Sequence, residues 1–209
     1  MSYTNFIKAM ELAPKCKFYT TAGGKSEEEI DMSEKKLGIS FSPQCKEFYK
    51  KYGYLSFFGN EIYGIDPEDD SGILEGNSVA YALNDREEYN LPKEWIPIYD
   101  FGDGNMAYLD YSSLNAVKEP DVIMAFYNGD KYEKVEKLAE DLGDFILQLV
   151  HEQVADQKCC PVRTTGLFQF SCCTAGNAVT GAEIILFSLR QYCDFCHCCN
   201  GSQSLTAKA

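Results

Sequence analysis

Residues 91–112, LPKEWIPIYDFGDGNMAYLDYS, constrain the fold more than any other stretch, because they read as two strands joined by a glycine-rich acidic turn. Ile96, Ile98, Tyr99 and Phe101 lead into Gly102-Asp103-Gly104-Asn105, and Met106, Tyr108, Leu109 and Tyr111 lead out. The Asp-Gly and Gly-Asn pairs supply the positive φ angles of a tight hairpin, and the flanking β-formers suit a pleated, half-buried surface. Such a turn projects carboxylates from a rigid sheet. Asp100, Asp103 and Asp110 are expected to crowd negative charge at one end of it, with no histidine nearby to complete an acid/base set. Binding is favoured over chemistry.

The charge balance bears on what would be bound. Residues 1–158 hold 16 lysines and arginines against 30 aspartates and glutamates, a formal −14, whereas residues 159–209 come to +1. Phosphates are met by clustered Lys and Arg, so neither nucleic acid nor an anionic membrane is an expected partner. A basic protein is, since complementary potential steers encounter. The first twenty residues lack an apolar core of signal-peptide length, and the longest apolar run, AEIILFSL near residue 185, is too short to span a bilayer, so a cytoplasmic location is expected. Cys16 and Cys45 then read as reduced, buried thiols.

Elsewhere the pattern alternates helix and strand signals. Ser26-Glu27-Glu28-Glu29 is a capping box that starts a helix to Leu37, with Ile30, Ser33 and Leu37 inward and Gly38 ending it. Ser42-Pro43 starts a second helix, with Cys45, Phe48, Tyr49 and Tyr52 at helical spacing before Gly53. Residues 54–65 suggest a hairpin around Gly59-Asn60, and the acidic run at 66–72 must be an exposed loop. Residues 78–89 return to helix, 122–127 form a buried strand, and 143–152 close with Phe145, Ile146, Leu149 and Val150 on one helical face. The fold class is α+β.

The segments LGISFSPQCKEFYKKYGYLSFFGNEIYGI, LPKEWIPIYDFGDGNMAYLDYS and GDFILQLVHE, in this order, resemble the Smi/Knr-like branch of the SUKH superfamily. The likeness spans residues 1–153, and it implies a mixed, mainly antiparallel sheet wrapped by helices, with no cofactor and no reaction. Bacterial members look like immunity proteins, cytoplasmic antidotes that bind and block toxin domains, often nucleases. An acidic inhibitor can plug the basic surface with which such a toxin holds phosphate. Chemistry then selects Asp66, Glu68, Asp69 and Asp70 in the first loop, and Asp100, Asp103 and Asp110 around the second hairpin, as the partner-binding set. Tyr63, Tyr99 and Tyr108 are candidate aromatic anchors if they face outward.

Residues 154–209 read as an unrelated Cys-rich extension, disordered or non-native. Cys193-Asp194-Phe195-Cys196-His197 fits the spacing of c-type haem attachment, but no export signal accompanies it. The adjacent Cys-Cys pairs lack the paired knuckle spacing of zinc folds, so no metal site is assigned. Asp100-Phe101-Gly102 matches a kinase triplet without the rest of the kinase set, and the Asp100–Asn105 spacing departs from a calcium loop.

Overall fold

A computed structural model describes residues 2–69 and 76–159. The expectations for the extension beyond residue 159, and the placement of Asp70, lie outside these described residues. The element order is α1 (Ser2–Leu12), β1 (Thr20–Thr21), α2 (Glu27–Leu37), α3 (Pro43–Lys51), β2 (Leu55–Phe57), β3 (Asn60–Ile62), α4 (Ser78–Glu88), β4 (Trp95–Asp100), β5 (Asn105–Leu114), β6 (Pro120–Tyr127), β7 (Tyr132–Ala139) and α5 (Leu142–Cys159). Every pairing between named strands is antiparallel, in one sheet ordered β1-β2-β3 and one ordered β4-β5-β6-β7.

Local chemistry fixes the helix ends. The Ser26 hydroxyl accepts from the Glu29 N–H at 3.1 Å and the Glu29 carboxylate accepts from the Ser26 N–H at 2.8 Å, so α2 starts on a complete capping box. Its end is set by Gly38 at φ +70°, whose N–H returns to the Glu34 carbonyl at 2.8 Å. Ser42 caps α3 with Pro43 in its first turn. The β2–β3 turn falls one residue earlier than the sequence suggests: Phe57 pairs with Asn60, and Phe58 and Gly59 take φ +52° and +87°. Two positive φ angles are what a two-residue hairpin loop requires, and here a phenylalanine bears one of them.

The helices cover both faces of the four-stranded sheet. On one face the Tyr99 ring meets Phe145 of α5, and the Tyr111 hydroxyl accepts from the Ser42 N–H at the start of α3 at 3.1 Å. On the other, α4 is tied down by the Ser78 hydroxyl on the Pro97 carbonyl at 2.7 Å and by the Tyr132 hydroxyl on Asp85 at 2.6 Å. The core between these layers centres on Phe48, Tyr49, Leu55, Phe57, Ile62, Ile96, Ile98 and Ile146, all essentially without solvent contact. Helix α1 was not anticipated from the sequence. It packs Phe6, Ala9 and Met10 inward and approaches α5 so closely that a Cβ on Gly143 would lie 2.6 Å from Phe6. Helix α5 passes residue 153 without interruption.

Candidate partner-binding cleft

A cleft of about 750 Å³ opens where the β3 exit, the acidic loop and α4 converge. Glu61 points into it because β3 alternates: Asn60 and Ile62 are buried and Glu61 is exposed. Tyr63 and Tyr81 form one wall, their rings stacked at 5.4 Å and 22°. The Tyr63 N–H donates to the Ile98 carbonyl at 2.9 Å, which holds this wall against β4 and links the two sheets. Tyr54, Asp66 and Asp69 complete the polar lining, and among the described residues lining it Lys25 is the single cation.

Main chain forms the floor. A Cβ on Gly64 would lie 1.9 Å from the Gly53 carbonyl oxygen, and one on Gly53 would lie 2.1 Å from that of Gly23. No side chain fits at either place. The acidic loop is anchored at its root by Asn77, whose side chain accepts from the Asp66 N–H at 3.1 Å and donates to the Asp66 carbonyl at 2.9 Å. Lys36 reaches from α2 to the Pro67 carbonyl at 2.5 Å.

Burial pushes the Tyr63 and Tyr81 hydroxyls above the ordinary tyrosine value, and the Asp100 charge adds to the effect on both. Burial likewise raises Tyr54, with Glu61 contributing. The tyrosine walls therefore stay neutral. The only histidine among the described residues, His151, is exposed on α5 rather than placed at the cleft. Among the described residues no group of three or more His, Cys, Asp or Glu side chains is placed to hold a metal ion.

The SUKH_6 family model, described as SMI1-KNR4 cell-wall, matches residues 27–146, more than half of the chain. The chain belongs to this SUKH family. No curated protein matches it. The matched span of the SUKH domain runs from the first residue of α2 into α5, so it contains every cleft residue except Ala22 and Lys25.

The SUKH fold gathers some of the residues chosen by sequence and separates others. Asp66 and Asp69 line the cleft, Glu68 is exposed beside them, and Tyr63 supplies a wall although only 5% of its surface is exposed. Asp100 is exposed and near enough for its charge to act on both stacked tyrosines. Its Oδ1 also accepts from the Gly102 N–H at 2.7 Å, while Asp103 accepts from the Asn105 N–H at 3.0 Å. Both acids thus shape the turn as well as charging it. Tyr99 is half-buried, its hydroxyl donating to Asn60 at 2.8 Å.

Two expectations are overturned. Asp110 does not join Asp100 and Asp103 at one end of the sheet: Asp110 pairs with Trp95 whereas Asp100 pairs with Met106, four residues further along β5, which puts them roughly 13 Å apart along the strands. It is also buried and ion-paired with Lys134 at 3.3 Å. Tyr108 is no outward anchor, being 1% exposed between the Trp95 and Tyr132 rings. Sequence reasoning missed Glu61, Tyr81 and Asn77. The strand alternation pointed to Glu61, whereas the loop closure that gives Asn77 its role is a tertiary fact with no local signal.

Proposed function

We propose that this SUKH protein is a cytoplasmic, non-enzymatic immunity protein that binds a basic toxin domain, of the kind that attacks nucleic acid, and plugs its phosphate-binding surface. The observation that carries the reading is the convergence of Glu61, Asp66 and Asp69 in one tyrosine-walled cleft, where Lys25 is the single cation among the described lining residues, with Asp100 beside it. Anionic groups held at fixed positions meet a cationic surface without reorganising, and tyrosines supply contact area at small entropic cost. Tyr81 is the aromatic contact, with buried Tyr63 stacked behind it, and Glu68 and Asp103 extend the acidic rim. No helix among the described residues is long and apolar enough to cross a membrane, which accords with action in an aqueous compartment.

The test is co-expression with any candidate toxin domain encoded beside this gene, scored by growth. The combined changes Glu61→Gln, Asp66→Asn, Asp69→Asn and Asp100→Asn are expected to abolish rescue while leaving the circular dichroism spectrum unchanged. Full rescue by that folded variant would sink the assignment. The family's cell-wall description favours a second reading, a regulatory or scaffold module of the same fold. Absence of any toxin gene nearby, together with a change in envelope integrity on deletion, would select it.

A further inference from the structure

The N-termini of α3 and α5 meet at two carboxylates that the cleft does not use. Glu119, just before β6, is 2% exposed, and Asp141, just before α5, is 0% exposed. Glu119 Oε1 accepts from the Gln44 N–H at 3.0 Å, and the Ser42 hydroxyl also bonds this carboxylate. Asp141 Oδ1 accepts from the Asp144 N–H at 3.0 Å and so caps α5. The Gln44 side-chain oxygen accepts from the Gly143 N–H at 2.8 Å, which ties the first turn of α3 to that of α5. The other oxygen of each acid, Glu119 Oε2 and Asp141 Oδ2, has no hydrogen-bond partner.

Two full negative charges do not balance there. Each helix N-terminus is equivalent to roughly half a positive charge, so the two ends together offset about one carboxylate. The groups packed around the pair supply no further cation. Helix α3 presents Ser42, Gln44 and the Cys45 thiol, and β5 presents the Tyr111 hydroxyl. Asn5 of α1 donates to Asp144 of α5. In the segment before β6, the Asn115 side chain accepts from the Glu119 N–H, and Lys118 is exposed. Lys137 of β7 is engaged with Asp121 and Glu140, and no lysine or arginine among the described residues forms an ion pair with Glu119 or Asp141.

We propose that Glu119, buried with one oxygen lacking any partner, keeps its proton where an exposed glutamate is ionised, and so forms a proton-operated latch joining α3 to α5. With that proton in place, the two helix ends are left with at most one charged carboxylate to offset. Its loss puts charge on a buried Glu119 oxygen that has no partner, and that cost strains the bridge from Gln44 to Gly143. Burial raises the Glu119 carboxyl above its ordinary value, Asp141 adds to this, and the bonds from Ser42 and Gln44 oppose it. A raised acid stabilises the fold fully below its unfolded value, about pH 4.3, and that stabilisation is lost as pH rises through the folded value.

The experiment compares urea midpoints of the full chain and of Glu119→Gln between pH 4.5 and 9. Glutamine still accepts from the Gln44 N–H but never ionises. The variant is expected to gain on the parent as pH rises, with the gap closing towards pH 4.5; parallel curves would overturn the latch. Carbon-13 NMR of the parent provides a measurement that does not depend on the variant folding. The Glu119 carboxyl carbon is expected to titrate above the ordinary glutamate range, and a midpoint within or below that range overturns the proposal.

Discussion

Asn77 shows how much one side chain can organise. Besides holding both backbone groups of Asp66, its Oδ1 accepts from the Val79 and Ala80 N–H groups at 3.1 and 3.4 Å and so caps α4. Asn77→Ala removes the cap and leaves the Asp66 backbone without its partners. It is expected to cost about 2 kcal/mol in urea denaturation and to weaken toxin binding without touching a carboxylate. Cys45 illustrates a residue whose chemistry is switched off by packing. Burial pushes its thiol up to about 12, so at pH 8 it is protonated as well as inaccessible. Peptide mapping after iodoacetamide treatment of the native protein at pH 8 should find Cys45 unlabelled, and labelling should appear only after denaturant is added.

Among the elements, β7 carries the heaviest protection. It is the open edge of the four-stranded sheet, and five consecutive residues, Glu133 to Lys137, are exposed. Register shifts against β6 leave Val135 and Leu138 as extra residues, bulges that spoil the edge for strand addition. Lys134 and Lys137 have a second duty: Asp110 and Asp121 lie directly opposite each other on β5 and β6, and the two lysines ion-pair with them at 3.3 and 3.0 Å. Replacing both lysines with methionine should cost about 1–2 kcal/mol and make the edge adhesive, read as a lower urea midpoint and a concentration-dependent sedimentation coefficient. Such pairings were only partly legible in the sequence. Helices α2 and α3 could be read because their caps are local. Antiparallel counting from the turn would have shown that Asp110 lies far from Asp100, but no local rule reveals that Lys134 comes to meet it. Helix α1 has its apolar stripe in the sequence, but no cap marks its start, and its partner α5 is more than a hundred residues away, joined by Asn5 to Asp144 at 2.7 Å.

At the scale of the whole molecule, a formal charge of −13 repels itself as well as suiting a basic partner of the kind proposed. Raising sodium chloride from low to about 0.5 M should therefore raise the melting temperature of the free protein while slowing its association with a toxin, two opposite responses to the same screening. A protein stabilised mainly by surface ion pairs would instead melt earlier. The acids of the cleft also differ from those elsewhere on the surface in what supports them. Beneath them, the α-carbons of Gly53 and Gly64 nest against the carbonyls of Gly23 and Gly53, leaving at those two places no gap that a larger residue could occupy. The depth of the recess is consequently a property of the polypeptide backbone, beyond the reach of ordinary substitution. A new target can be accommodated only by changing the rim, where Glu61, Asp69 and Tyr81 can be exchanged without disturbing the bedrock beneath.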